Sequence, residues 1–199
     1  MGARLHGERP LCQRHEEVSA LGRRRGRAVS GECRLITAFR DRLVRVPKTR
    51  DWAEMLGLLA IFSVTTLAVS LIFGKDAVFS SSGPNVSVWL FLPVSFFIPS
   101  LFEEAVFRGL FQPAGHRGAQ RALLLALSIG VFVLWHPVQV WLGLPMAQSL
   151  FLQLPFLTLV AVLGACATIM VQRSGSLWTP VVFHWCIVVV WKLLSGGST

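Results

Sequence analysis

The chain has 199 residues, of which 53% are hydrophobic and 15% charged, and its formal net charge is +9. This mixture excludes both a disordered chain and an ordinary soluble domain. Residues 1–54 hold thirteen of the nineteen Lys and Arg residues, whereas residues 55–199 carry only nine charges of either sign. The composition therefore predicts an all-α, polytopic membrane protein with a helical bundle and a basic N-terminal tail.

The tail, residues 1–50, is predicted to be mostly disordered and cytoplasmic. Its last basic residues are expected to lie on the inner leaflet of the bilayer: Arg40, Arg42, Arg45, Lys48 and Arg50. No aromatic residue that could stack on a base is interleaved with the arginines at 23–27. Nucleic acid is therefore not expected as a partner.

Residues 51–199 form the predicted transmembrane domain, with five helices at about 55–74, 86–111, 122–136, 156–171 and 177–194. Pro93 and Pro99 are expected to kink the second helix, because proline lacks the N–H that a helix needs. Prolines and a glycine interrupt the stretch 138–155, which is therefore predicted to be a short re-entrant or interfacial segment. The distribution of Lys and Arg over the loops predicts a cytoplasmic N-terminus.

Few ionisable residues fall inside the predicted helices, and five of them could carry chemistry: Glu103, Glu104, Arg108, His136 and His184. A charged group at the bilayer centre costs about 2.5–3.5 kcal/mol, so such residues usually face the protein interior and have a function. Glu104 and Arg108 are four residues apart, which predicts an ion pair on one helix face. Glu103 points about 100° away and lacks a nearby counter-charge, which suits a general base or acid.

Missing motifs narrow the class of enzyme. No Asp follows Asp76, so a pair of intramembrane aspartates is excluded. Neither His-Glu-x-x-His nor a Gly-rich phosphate loop occurs, and there is no Gly-x-Ser-x-Gly elbow. The sequence therefore does not support a zincin-like protease, a P-loop enzyme or an elbow serine hydrolase.

Three motifs in these helices resemble those of a known family. Glu103-Glu104-Ala-Val-Phe-Arg108 is similar to Glu-Glu-x-x-x-Arg, and Phe132-Val-Leu-Trp-His136 to Phe-x-x-x-His. A third motif, a His four residues before an Asn, is met by His184, but Val188 occupies the last position. In their order and spacing over about residues 86–194, these motifs resemble the CAAX-protease and bacteriocin-processing (CPBP, or Abi) family of intramembrane endopeptidases.

The resemblance implies hydrolysis of a peptide bond by an activated water molecule. It assigns water activation to Glu103 and His136 and oxyanion stabilisation to His184, with Glu104 as a further catalytic residue. Arg108, Phe132 and position 188 would support the site. The family implies either a metal-free glutamate mechanism or a divalent metal such as zinc, whose ligands would be Glu103, His136 and His184. Because Arg108 engages Glu104, too few ligands remain for a closed metal site, and metal-free chemistry is expected.

A membrane-tethered peptide or protein is the expected substrate, and the bilayer is the expected environment. The candidates are a lipidated C-terminus, a bacteriocin leader and a C-terminal sorting helix, the last because the chain resembles short bacterial members paired with sorting signals. Arg outnumbers Lys sixteen to three, which indicates a GC-rich bacterial genome. The expected location is therefore the bacterial plasma membrane, and prenylated substrates are disfavoured.

Two other functions remain open from the sequence. A non-catalytic member acting as an immunity or scaffold protein would tolerate Val188. A proton-coupled carrier would use Glu103 and His184 as a relay, although the sequence shows no internal repeat of the kind many transporters have.

Replacing Val188 with Asn tests the missing third motif. If the absent amide is a real deficit, Val188→Asn should raise the turnover of a membrane-tethered peptide, because one oxyanion donor is worth about 2.7–4 kcal/mol of barrier. Turnover measured in lipid beside the wild type decides the point. An unchanged rate would mean that another group fills the role of the Asn.

Overall fold

The computed structural model describes residues 36–79, 87–112 and 118–195. The chain divides into two units, Met1–Thr37 and Ala38–Thr199, and nearly all of the first lies outside the described residues. The regular secondary structure within the described residues is helical throughout. The all-α prediction is therefore confirmed, while the predicted disorder of residues 1–35 concerns residues that are not described.

The helices are α1 (36–44), α2 (Thr49–Phe73), α3 (Val88–Ser95), α4 (Phe102–Glu104), α5 (Gly118–Trp141), α6 (Leu154–Ser174) and α7 (Trp178–Leu194). Four helical segments are long and apolar enough to cross a membrane: Thr49–Phe73, Trp89–Leu110, Gly118–Trp141 and Leu154–Ser174. Helix α7 is also apolar but has only 17 residues. The chain is thus a multi-pass helical membrane protein.

The second spanning segment is interrupted, as its prolines predict. Two π-helical turns, Phe96–Leu101 and Ala105–Leu110, flank α4. Within the first of them Ile98 has extended backbone angles (φ −133°, ψ 113°), and the Ile98–Pro99 peptide bond is cis. Proline cannot donate the helical hydrogen bond, so the helix breaks here and resumes one turn later. This break separates α3 from α4, which carries Glu103 and Glu104.

Helix α5 is longer than predicted. The sequence suggested 122–136, ending at Pro137, but the helix runs from Gly118 to Trp141 with Pro137 inside it. One missing N–H does not end a helix whose neighbouring turns remain bonded, and backbone hydrogen bonds continue up to Leu142 and Leu144. The non-spanning segment is therefore shorter than 138–155, and its 3₁₀ turn Ser149–Leu152 contains buried Leu150 and Phe151.

The predicted tail also ends earlier than expected. Residues 36–44 form helix α1, and α2 begins at Thr49, within the region assigned to disorder. The reason is that backbone and side-chain groups of residues 39–45 find partners in the bundle, such as the amide of Leu177, which donates to the carbonyl of Arg42 at 3.0 Å. Arg42 itself is half-buried against backbone carbonyls rather than placed on a lipid surface.

Three tryptophans attach α7 to other parts of the chain. Each indole N–H donates to a backbone carbonyl in a different segment: Trp178 to Leu43 (2.8 Å), Trp185 to Leu92 (3.0 Å) and Trp191 to Val78 (2.8 Å). A tryptophan buried in an apolar environment usually pairs its one polar atom in this way. These bonds fix a helix that is short for a membrane span.

Helix α6 lies close to the side chains of Arg108 and Phe132 at one glycine, Gly164. A Cβ atom on Gly164 would lie 3.0 Å from Arg108 Nη2 and 3.1 Å from Phe132 Cδ1. Small residues commonly allow such close packing between membrane helices. A side chain at position 164 would therefore force Arg108, Phe132 or α6 to shift.

Gly164→Val should therefore lower the free energy of unfolding by about 1–3 kcal/mol, the usual cost of overpacking. Gly130→Val is the matched control, since a Cβ atom at Gly130 meets nothing within 4 Å. Thermal unfolding of the two purified variants in detergent checks this. Equal melting temperatures would show that α6 can move away without cost.

Candidate active site

The five polar residues predicted from the sequence come together inside the bundle. Glu103 and Glu104 lie on α4, Arg108 on the π turn that follows, His136 on α5 and His184 on α7. All five are buried, with Glu104 0% exposed and Arg108 1% exposed. Buried ionisable groups in a membrane protein need partners for hydrogen bonds or ion pairs.

Glu104 is the centre of the cluster. Its Oε1 atom lies 3.2 Å from Nη1 of Arg108 and 3.0 Å from Nδ1 of His184. The ion pair predicted from the four-residue spacing is therefore confirmed. Because an ionised carboxylate only accepts hydrogen bonds, Nδ1 of His184 carries the proton in this contact. Glu104 thus orients the imidazole and leaves Nε2 as its outer nitrogen.

Phe132 holds Arg108 and both histidines in one group. The guanidinium carbon of Arg108 lies 4.1 Å from the centroid of the Phe132 ring, a cation–π geometry. The ring also makes edge contacts with His136 and His184, at centroid distances of 5.1 and 6.1 Å. Phe132 is fully buried. The two imidazoles therefore lie near one another, although their helices are far apart in sequence.

Glu103 has a different environment from Glu104. It forms no ion pair with the described residues, and its Oε1 accepts hydrogen bonds from Trp135 Nε1 at 2.9 Å and from Gln139 Nε2 at 3.1 Å. Its buried Oε2 has no donor among the described residues. Two donors on one oxygen fix the carboxylate and leave the second oxygen able to accept a hydrogen bond.

Trp135 and Gln139 were not identified from the sequence. They lie four residues apart on α5, one on either side of His136 along the chain, so both can reach the same carboxylate. Gln139 is buried, and a buried amide in an apolar helix is the signal that would have revealed it. The sequence predicted that this helix ends at residue 136, so Gln139 lay outside the predicted helix.

His136 has a defined tautomer. Its Nδ1 lies 3.1 Å from the backbone carbonyl of Phe132, and a carbonyl only accepts, so Nδ1 donates. In the neutral ring Nε2 then carries a lone pair. The rings of Phe151 and Phe156 pack against the imidazole of His136, at centroid distances of 5.4 and 6.1 Å, and form an apolar wall beside it.

Val188 lies half-buried on α7, one turn after His184. Its side chain has no polar atom, so α7 lacks a donor at the position where the third motif has Asn.

Glu103, His136 and His184 are the predicted ligands of a divalent metal ion. Across residues 36–79, 87–112 and 118–195, no three His, Cys, Asp or Glu side chains form a group that could hold one ion. In both histidines Nδ1 is hydrogen-bonded, to Phe132 in His136 and to Glu104 in His184, and Nε2 is the remaining ring nitrogen. An open cleft of about 660 Å³ lies between Arg45 and Arg173, and none of the cluster residues lines it.

Removing Arg108 should be far more costly than removing a surface arginine. Arg108→Met leaves Glu104 without its cation, and we expect a loss of about 3–5 kcal/mol in the free energy of unfolding. Arg173 forms a 3.0 Å pair with Glu54 but is 65% exposed, so Arg173→Met should cost only about 0–1 kcal/mol. Thermal melts of both variants test this, and equal losses would contradict the role of Arg108 in the buried pair.

Comparison with known proteins identifies a family for this chain. A family model described as "Type II CAAX prenyl endopeptidase Rce1-like" matches residues 85–190, just over half of the chain, and this range contains all five cluster residues. Neither the curated proteins nor the solved structures gave a match. The chain therefore belongs to the Rce1-like family of type II CAAX prenyl endopeptidases, which are intramembrane proteases.

Proposed function

We propose that this protein hydrolyses a peptide bond of a membrane-tethered substrate and that Glu103 is the general base. The observation that carries the proposal is the geometry of Glu103, whose Oε1 is held by Trp135 and Gln139 while Oε2 has no donor among the described residues. A fixed carboxylate with one free oxygen suits proton abstraction from water, and positioned acid–base groups contribute about 100- to 10,000-fold to rate.

His136 is proposed to hold the same water molecule. With its proton on Nδ1, its Nε2 lone pair accepts one water hydrogen while Glu103 Oε2 accepts the other. The water oxygen then presents a lone pair to the substrate carbonyl. Phe151 and Phe156 beside the imidazole support this role, because an apolar wall limits the entry of bulk water.

His184 is proposed to stabilise the oxyanion, with Glu104 as a positioning residue. Because Nδ1 donates to Glu104, only the imidazolium form offers an Nε2–H to the developing negative charge. This pairing has the same logic as the carboxylate–histidine contact of serine proteases.

The reaction balances with these groups alone. Water loses a proton to Glu103 as its oxygen bonds to the carbonyl carbon, giving a tetrahedral intermediate whose oxyanion faces His184. Glu103 then returns the proton to the amide nitrogen as the C–N bond breaks. The products are a carboxylic acid and an amine, and the mechanism proposed here requires no metal ion.

The substrate and setting are also proposals. The family description names a CAAX prenyl endopeptidase, and the features of the sequence favour a bacterial plasma membrane with the N-terminus in the cytoplasm. We therefore expect a lipidated C-terminus, a bacteriocin leader or a sorting helix to be cleaved. Of the two alternatives, Val188 supports the first, a non-catalytic immunity or scaffold protein that keeps the fold.

Glu103→Gln tests the proposed base. The amide keeps the size of the side chain and still accepts from Trp135 and Gln139, but it cannot take a proton. Cleavage of the three peptide classes in lipid nanodiscs should fall at least about 100-fold. Glu54→Gln, a carboxylate outside the cluster, should cleave like the wild type.

Each assay is run with and without a chelator. Activity that survives chelation but is lost in Glu103→Gln supports the metal-free mechanism, whereas loss on chelation would move the assignment to a metal enzyme. Unimpaired cleavage by Glu103→Gln would exclude Glu103 as the base. If neither the wild type nor Val188→Asn cleaves any of the peptides, the result would favour the non-catalytic alternative.

A further inference from the structure

Residues 38–45, called the clip below, contact two of the three segments that carry the cluster. One set of contacts reaches the end of the π turn that holds Arg108. The other reaches the connection between α6 and α7, shortly before His184. The clip lies outside the range 85–190 that the family model matches, so membership of the family does not account for it.

On the first side, Arg42 caps the segment that bears the glutamates. Its Nη1 donates to the carbonyl of Arg108 at 2.7 Å and to that of Gly109 at 3.0 Å, and both terminal nitrogens approach the carbonyl of Gln112 within 3.5 Å. Carbonyls at the C-terminal end of a helical segment lack intrahelical donors and carry partial negative charge. Burial lowers the pKa of the Arg42 guanidinium, and these carbonyls compensate for its lost hydration.

Phe39 packs against the same turn. A Cβ atom on Gly109 would lie only 2.6 Å from two carbon atoms of the Phe39 ring. The absence of a side chain at position 109 therefore lets the ring touch the backbone next to Arg108. This contact is independent of the Arg42 hydrogen bonds.

On the second side, the clip bonds to the start of α7. The amide of Leu177 donates to the carbonyl of Arg42 at 3.0 Å, and Trp178 Nε1 to that of Leu43 at 2.8 Å. The hydroxyl of Ser176 donates to the carbonyl of Arg45 at 2.7 Å. The backbone of Arg42 thus holds α7 while its side chain holds the π turn.

We propose that the clip is a positioning element of the active site and that Arg42 is its central residue, setting the separation between Glu104 and His184. These two residues are 80 positions apart in sequence and are joined by a single 3.0 Å contact. The clip bridges their two segments at a common end. The effect on catalysis rests on the proposed function, since it requires that His184 act on the intermediate.

Kinetics of Arg42 variants give the first test. Arg42→Ala should lower kcat at least tenfold and leave KM within twofold, because the cluster shifts while the peptide-binding surface stays in place. Arg42→Lys keeps the charge but not the forked geometry of the guanidinium, so its kcat should lie between those of the wild type and Arg42→Ala. Arg40→Ala is the matched control: Arg40 lies exposed on the same helix and should behave like the wild type.

A second readout does not depend on activity. Nitrogen NMR of ¹⁵N-histidine-labelled protein, assigned with His184→Gln, reports whether Nδ1 of His184 donates to Glu104. In Arg42→Ala this resonance should shift or broaden at a temperature well below unfolding, and in Arg40→Ala it should not. A role in stability alone would leave the resonance of the folded protein unchanged.

The outcomes separate this proposal from the proposed function. If Arg42→Ala folds, keeps the wild-type kcat and shows an unchanged His184 resonance, the proposed positioning role of the clip is wrong. If Arg42→Ala does not fold, Arg42→Lys decides by the same two measurements. If the wild type cleaves none of the peptides, the proposed function fails, but the His184 resonance still tests the clip.

Discussion

The site depends on one buried oxygen atom. Oε1 of Glu104 accepts from both Arg108 and His184, so a carboxylate, a guanidinium and an imidazole share one contact point in an apolar bundle. Each charge alone would be costly in a bilayer, and removing either partner would leave the other uncompensated. The ring of Phe132 lies against the guanidinium, and Gly164 leaves room for both. The close approach of α6 is therefore a consequence of burying Arg108.

Irregular backbone places these charges. The break at Ile98 separates α4 from α3, and the π turn Ala105–Leu110 follows the glutamates directly. π turns are rare and occur frequently at functional sites. Here the end of the turn presents carbonyls that Arg42 reaches from outside the bundle. The two glutamates consequently differ in environment although they are adjacent: one is paired with the Arg108 guanidinium, and the other is held only by neutral donors.

The sequence predicts the parts of this site that follow from local spacing. The Glu104–Arg108 pair follows from a four-residue step on a helix, and the spans follow from long apolar runs. The Trp135 and Gln139 donors depend on α5 continuing through Pro137, which local rules disfavour. The packing of Arg42 was also missed, because an arginine that binds backbone carbonyls has no acidic partner to reveal it in the sequence. Both sets of contacts are long-range, and those of Arg42 also involve main-chain acceptors, which a side-chain pattern does not show.

The three indoles of α7 bear on the order in which the protein is assembled. Their acceptors, on Leu43, Leu92 and Val78, all belong to segments synthesised before α7. During translation the earlier helices can therefore enter the membrane while Glu104 still lacks its histidine. Only when α7 joins them does His184 reach the carboxylate. The nascent chain would thus lack the proposed oxyanion donor until the last described helix is in place, and under that proposal an unfinished copy would not cleave neighbouring membrane proteins.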